Sequence, residues 1–260
     1  MKKTVYSLLV AAAVASVSAS CDESLLNIPQ KGVYSESDYY KTDEDCKSAL
    51  AAVYSSILHT NAFFVYDVCI NSLLGDDCYK TSSGYKADDY HSFMLSTYDD
   101  THRYVRFEFE NLFKTVYRCN LVIDNFEEGT STLMKQAVAE AKTMRAWAYI
   151  KIISLWGTPP LVDHVPRTGE DMRLPNSTKE ALWTWVIRSL DEAIGSGAME
   201  SKSSVEDRSK VRATKEFAMA LKGKAQVFSG DYSGAKTTLK SLMDTRLYAL
   251  VPSSEMGKNS

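Results

Sequence analysis

The sequence is poor in the residues that interrupt helices. Its 260 residues include only six prolines and twelve glycines, and these cluster at the boundaries between segments of periodic apolar character. The chain also lacks a strong charge of either sign, because its formal net charge is −3. That balance argues against a nucleic-acid partner, which usually selects a basic face. Scarce helix breakers in an ordinary globular composition favour helices.

Recognisable catalytic motifs are absent as well. No GxSxG, HExxH, P-loop or dinucleotide-binding fingerprint occurs, and no cysteine or histidine spacing indicates zinc. The histidines are scattered without a companion nucleophile: His59, His91, His102 and His164. Acidic doublets occur without the spacing of a calcium-binding EF-hand, so solvated loop charge is preferred and calcium is kept only as a weak alternative. We therefore expect a binding protein that has no catalytic residues and needs no cofactor.

The N-terminus is the most specific local feature. Two lysines precede the uncharged apolar run 5–17, and small residues at 18–20 lead directly into Cys21. The run is too short to span a bilayer, which indicates a cleaved signal peptide over residues 1–20. Small residues before a cysteine are typical of bacterial lipoproteins, so we expect Cys21 to carry the lipid and residues 21–41 to form a tether. Ser18 stands where such signals usually have a large aliphatic residue, and an ordinary secretory signal is the alternative.

The other four of the five cysteines follow the export signal. Export leads to an oxidising compartment, where disulfides can form. Cys46 and Cys119 fall on the apolar faces of predicted helices, so buried thiols are preferred for them. A bridge between Cys69 and Cys78 is the alternative reading for the remaining two.

Apolar residues recur at intervals of three and four over most of the mature chain, which predicts amphipathic helices. Thr42 and Asp45 have the spacing of a capping box at the start of the first helix, and Ser177 with Glu180 has it at the start of the fourth. The predicted helices run from Thr42 for about four turns, then over Tyr104–Phe126, Leu133–Trp156, Ser177–Ile194, Ala213–Phe228 and Ser233–Leu247.

The last two helices flank a Gly230-Asp231 turn and carry the small-residue spacing of a tetratricopeptide (TPR) repeat: Gly223, Gly230, Tyr232, Ala235 and Leu239. Helices that occur in pairs with this ending predict an all-α, TPR-like superhelix.

A few polar and aromatic side chains within these helices are expected to be structural. Asn120 lies in an apolar stripe and is interpreted as a buried amide that pairs with backbone groups. Arg145 is expected to pair with a helix end or a carboxylate. The tryptophans occupy helical registers and are assigned to the core: Trp147, Trp156, Trp183 and Trp185.

Four stretches in order resemble the SusD/RagB family of outer-membrane lipoproteins of Bacteroidetes. They are the opening from Cys21 through YYKTDEDCKSALAAVYSSI, the helix FENLFKTVYRCNLVIDN, the stretch AEAKTMRAWAYIKIISLWGTPPLVD and the ending GDYSGAKTTLKSLMDTRLYAL. The resemblance implies a non-enzymatic lipoprotein on the outer face of the outer membrane. Such proteins cap a TonB-dependent transporter of the SusC type and deliver oligosaccharides, or in some members peptides, into its barrel.

Family members are much longer than this chain. The resemblance therefore implies that residues 42–250 are a SusD-like TPR-containing domain without the family's C-terminal half, followed by a polar tail over 251–260. Either the chain is a fragment or a truncated gene product, or its ligand site is incomplete. A helical-repeat body without its terminal cap exposes an apolar face, so marginal stability or aggregation is expected.

The segment 61–102 interrupts the helical periodicity and is rich in Asp, Ser and Tyr. In the family, glycan contacts come partly from the irregular region at this place. Sugar binding needs flat aromatic faces beside polar side chains, so the candidate ligand contacts are Tyr79, Tyr85, Tyr90, His91, Phe93 and Tyr98. The alternative is that these rings only pack the loop onto the helices. A peptide-binding RagB-type lipoprotein and a TPR-like protein scaffold remain as the other functional hypotheses.

Overall fold

The computed structural model describes residues 39–58, 67–75, 78–79, 87–169, 172–250 and 254. The predicted signal peptide, the lipid-bearing Cys21 and Tyr85 lie outside these residues. The chain divides into two compact units, Met1–Tyr39 and Tyr40–Ser260, and every helix described below belongs to the second.

The described part of this unit contains eight helices. The first three are α1 (Asp43–Leu58), α2 (Val68–Leu73) and α3 (Ala87–Met94), and the long central pair is α4 (Arg103–Phe126) and α5 (Thr132–Trp156). The last three are α6 (Lys179–Gly195), α7 (Lys215–Ser229) and α8 (Tyr232–Asp244). The all-α prediction is confirmed, and the predicted long helices start and end within a few residues of the observed ones. None of the described helices is both long and apolar enough to cross a membrane.

Helix starts follow local capping chemistry. At α1, Thr42 Oγ1 accepts a hydrogen bond from the Asp45 amide at 3.1 Å, and Asp45 Oδ2 accepts one from the Thr42 amide at 2.9 Å. This reciprocal pair confirms the predicted capping box. The box predicted at Ser177 is wrong by one residue. The Ser177 amide donates to the Pro159 carbonyl at 3.1 Å, so the chain is still engaged with the preceding loop there, and Thr178 caps α6 instead by accepting from the Ala181 amide at 3.2 Å.

Consecutive long helices pack against one another, from α4 on α5 through to α7 on α8, and α1 lies against both α4 and α5. The α7–α8 hairpin has the close approach expected of a TPR unit. A Cβ atom added to Gly223 would lie 2.7 Å from Leu239 Cγ, so only glycine fits at this crossing. Gly230 closes α7 with a left-handed φ of 89°.

The polar residue that was assigned to the core, Asn120, is found there. Asn120 is fully buried and donates to the carbonyls of Val162 and His164, at 3.0 and 2.9 Å. Its own carbonyl accepts from Arg145 Nη1 at 2.7 Å. The interpretation of Asn120 as a satisfied buried amide is therefore confirmed.

The partner predicted for Arg145 was wrong. Its Nη1 donates to Asn120 and to the Asp163 backbone carbonyl at 2.6 Å, and its guanidinium lies 4.8 Å from the centre of the Trp185 ring. These contacts fasten the loop after α5 to the helices. Among the tryptophans, Trp183 and Trp185 are buried, whereas Trp147 and Trp156 are partly exposed and pack against the core.

Cys46 and Cys119 are buried thiols, as predicted from their positions on apolar helix faces. Burial raises the pKa of the Cys46 thiol to about 11 and that of Cys119 to about 12, so both stay protonated. Cys69 lies on α2 and Cys78 is exposed, and no disulfide joins them in the structure.

Candidate functional site

The structure corrects the prediction that residues 61–102 are irregular throughout. Within the part that is described, two short helices form, α2 and α3, and they pack against each other. We call the described residues of this region, 67–75, 78–79 and 87–102, the ligand segment. It has a small hydrophobic core of its own, in which Cys69 and Ile70 of α2 meet Phe93 of α3 and Tyr104 at the start of α4. The ligand segment is therefore a folded element held against the helical body.

Phe93 is the centre of an aromatic cluster. Its ring centroid lies 4.4 Å from that of His102, 5.1 Å from that of Tyr98 and 6.3 Å from that of Tyr104. Tyr90 adds a further ring, 5.7 Å from Tyr104. These separations suit offset or tilted aromatic packing, which orients the rings relative to one another.

Polar contacts fix α3 to the start of α4. The Asp89 carboxylate forms an ion pair with Arg103, whose guanidinium also lies 5.2 Å from the centre of the Tyr104 ring. His102 Nδ1 accepts from the Tyr104 amide at 3.2 Å, while its Nε2 lies 3.3 Å from the Asp89 carbonyl oxygen. This pair of contacts is consistent with a neutral imidazole protonated on Nε2, which caps α4 and ties α3 to it.

The predicted contact residues differ in how much of their surface is exposed. Tyr79 and Tyr98 are exposed, with 78% and 39% of their surface accessible, and Tyr90 and His91 are half-buried. Phe93 is only 1% exposed, so it supports the cluster from inside and offers no surface to a ligand in this conformation. Among the candidates that the structure describes, Tyr79 and Tyr98 therefore present the most exposed rings.

Sequence reasoning did not assign His102, Arg103 and Tyr104 to this site. A local signal was available, because the three residues stand immediately before the apolar stripe of α4, where a cap and a first helical turn are expected. Desolvation raises the pKa of Tyr104, with Tyr90 beside it contributing in the same direction, so its hydroxyl stays protonated. Asp99, in the turn between Tyr98 and His102, has its pKa lowered by hydrogen bonds from the Thr101 side chain and amide.

A groove in the described part of the chain lies in a different place. It has a volume of about 760 Å³ and runs along α1, with walls that include Leu50, Tyr54, Leu58, Leu133 and Val211. The lining also includes Lys47, Ser55 and Arg212, but Tyr54 is its only aromatic ring, so the groove is a weaker candidate for a sugar site than the ligand segment.

A buried ionic network underlies one end of this groove. Glu140 is fully buried and accepts from Tyr54 Oη at 2.6 Å, from Arg212 Nε at 2.9 Å and from Gln136 Nε2 at 3.1 Å. Tyr54 Oη in turn accepts from the Ala213 amide at 2.8 Å. Burial, together with the neighbouring carboxylate, raises the pKa of Tyr54. The network pairs every charged group in it, so its role is to hold α1, α5 and the start of α7 together.

Among the residues that the structure describes, no three or more His, Cys, Asp or Glu side chains are arranged to hold a metal ion.

No family model matches the chain. Two curated proteins do match it in sequence. A SusD-like protein of Bacteroides ovatus is 26% identical over 196 residues, which is 72% of this chain and 34% of the relative. The SusD-like protein P38 of Formosa agariphila is 24% identical over 235 residues, which is 89% of this chain and 44% of the relative. The chain therefore spans well under half the length of these curated relatives.

Solved structures share the fold. A SusD-like protein from Bacteroides fragilis superposes with a TM-score of 0.69 at 17% identity, over 86% of this chain and 42% of that one. A laminarin-binding SusD-like protein gives 0.67 at 21% identity, over 78% and 44%. Surface glycan-binding protein A from Bacteroides uniformis gives 0.67 at 20% identity, over 82% and 48%. The chain is thus similar in sequence to SusD-like proteins and shares the fold of SusD-like structures.

Proposed function

We propose that this protein is a cell-surface lipoprotein that captures oligosaccharides with its ligand segment and passes them to a TonB-dependent transporter of the SusC type. It acts by binding alone, with no catalytic step and no cofactor. In this proposal Cys21 carries the lipid that holds the protein on the outer membrane.

The observation that carries the proposal is the aromatic cluster with its exposed Tyr98, to which the segment adds a second exposed tyrosine, Tyr79. Tyr98 is in ring contact with buried Phe93, so the helical body limits its orientation before a ligand arrives. A flat ring fixed in this way can stack on the apolar face of a pyranose at little cost in conformational entropy. Acidic side chains nearby, such as the exposed Asp88 and Asp99, can accept hydrogen bonds from sugar hydroxyls.

Two similar structures support a glycan as the ligand class, because one is a laminarin-binding protein and the other a surface glycan-binding protein. Neither supplies a contact residue for this chain. The choice of glycan therefore has to be measured.

Affinity gel electrophoresis tests the proposal. The chain from Asp22 onward would be run through gels containing laminarin and a panel of other polysaccharides, with bovine serum albumin as the unretained reference. We expect retardation by at least one polysaccharide. Peptide titrations by calorimetry would run in parallel: binding to peptides without retardation by any glycan would favour the RagB-type function, and failure with both ligand classes would favour a protein scaffold.

A further inference from the structure

A second feature of the ligand segment is a partly buried cluster of charges at its first residue, Asp67. Lys151 on α5 forms an ion pair with Asp67, which immediately precedes α2, and its ammonium lies 5.3 Å from the centre of the Trp147 ring. The Asp67 carboxylate and carbonyl also accept from the Asn71 amide nitrogen, at 2.7 and 2.8 Å. Lys151 is therefore the polar clamp that fastens the beginning of α2 to the helical body.

Glu108 on α4 lies beside this clamp and is unusual for a buried acid. It is 3% exposed, and its Oε2 is buried without a hydrogen-bond partner among the described residues. Glu108 lines a cavity of about 20 Å³ together with Asp67 and Lys151. A buried carboxylate without a partner is costly, so a functional explanation is warranted.

Among the described residues that line this cavity, there is one cation, Lys151, for two acids, Asp67 and Glu108. The other cavity-lining side chains on α1, α4 and α5 are uncharged: Ser56, Ile57, Asn111, Leu112, Thr115 and Trp147. With Glu108 protonated, Lys151 and Asp67 neutralise each other. With Glu108 ionised, two carboxylates share a single ammonium in a poorly solvated site, and the clamp is weakened by repulsion and competition.

We propose that Glu108 is a positioning residue for the ligand segment, which acts through Lys151 on Asp67 and docks α2 when it is protonated but loosens α2 when it is ionised. The consequence for glycan capture rests on the function proposed above, whereas the docking equilibrium of α2 does not.

The pH range of the effect follows from the environment of Glu108. Burial, and secondly the neighbouring Asp67, raises the pKa of Glu108 from 4.5 to about 7. A raised pKa means that the docked state binds the proton more tightly than the open state, so the proton-linked contribution to docking is fully present below pH 4.5 and is lost as the pH rises through 7. If the open state restores the ordinary pKa, the equilibrium constant for docking falls about tenfold between pH 6 and pH 8.

Hydrogen exchange by mass spectrometry, followed on peptides that cover 67–75, tests this. In the unmodified chain we expect protection, corrected for the intrinsic exchange rate, to fall about tenfold from pH 6 to pH 8. Glu108→Gln imitates the protonated acid and should remove the pH dependence while keeping α2 protected. Glu110→Gln is the matched control, because Glu110 lies on the same helix with its side chain 59% exposed, and it should leave the fall unchanged.

Asp67→Asn provides a second variant, which removes the charge that Lys151 pairs with and leaves the Glu108 side chain in place. It should leave α2 weakly protected at both pH values. Equal protection of α2 at pH 6 and pH 8 in the unmodified chain, or a pH dependence that persists in Glu108→Gln, would overturn the proposal even if polysaccharide gels retain the protein. If protection of α2 changes with pH but no glycan retards the chain, the result would support this inference and contradict the proposed function.

Discussion

Single residues fix the close contacts of this fold, and Gly223 is the clearest case. Its missing side chain lets α7 and α8 approach until Leu239 fills the space that a Cβ atom would occupy. The TPR-like spacing in the sequence predicted this role, because a small residue at that position is needed for two antiparallel helices to touch.

Gly223→Ala is expected to destabilise the chain by about 1–3 kcal/mol, since the added methyl group forces Leu239 or the helix backbone to move. Gly195→Ala is the matched control. It lies in the last turn of α6 with no atom within 4 Å of an added Cβ, so the substitution should be neutral or slightly stabilising. Urea unfolding followed by circular dichroism measures both, and equal midpoints for the two variants would contradict the account.

The sequence revealed some buried polar residues and concealed others. Asn120 could be recognised because it interrupts an otherwise apolar stripe. Glu140 could not, because its partners Tyr54 and Arg212 are 86 and 72 residues away in the chain and no local pattern records such pairings. Arg145 lies between these cases: its structural role was predictable, but its partners are carbonyl oxygens of an amide and a loop, which only the tertiary structure brings together.

At the scale of elements, long helices were predictable and short ones were not. Helices α4 and α5 have 24 and 25 residues, enough for the apolar period to repeat several times. Helices α2 and α3 have only 6 and 8 residues, which is too short for a period to be distinguished from chance. Isolated helices of that length are unstable in water, so tertiary contacts made by Phe93 and by the Asp89–Arg103 pair must stabilise α3.

Exchanging the charges of that pair tests whether it holds α3 in place. Asp89→Arg and Arg103→Asp should each increase hydrogen exchange in peptides covering 87–94, because each single change places like charges together. The double variant restores an ion pair and should recover most of the protection. Single variants as well protected as the unmodified chain would show that the aromatic cluster alone positions α3, and a double variant that recovers no protection would contradict a role for the ion pair.

At the scale of the whole molecule, the helical-repeat architecture followed from the sequence because each helix pair is a local unit that packs on its neighbours. The candidate site could be predicted from the sequence only as a region, residues 61–102. The sequence gives no indication of which rings of 61–102 turn inward, since alternating tyrosines and aspartates suit both a packed loop and a binding surface. In the structure, the Phe93 ring is buried and turns inward, whereas the rings of Tyr79 and Tyr98 are exposed.

Attachment to the membrane is a whole-molecule prediction that depends on one thiol. Labelled palmitate fed to a producing Bacteroidetes host should be incorporated into the protein, and Cys21→Ser should abolish the label. Cys78→Ser is the control, because this exposed thiol lies outside the export signal and should not affect labelling. Secretion of an unlabelled protein would support the ordinary secretory signal instead.

Glycan capture by the exposed tyrosines is tested most directly by comparing variants on whichever polysaccharide retards the unmodified chain. Tyr79→Ala and Tyr98→Ala are each expected to raise the dissociation constant about tenfold, equivalent to about 1.4 kcal/mol. Tyr232→Ala removes a tyrosine that is 70% exposed on α8 and should bind as the unmodified chain does. Undiminished retardation of both ligand-segment variants, or an equal loss in Tyr232→Ala, would contradict the assignment of sugar binding to this surface.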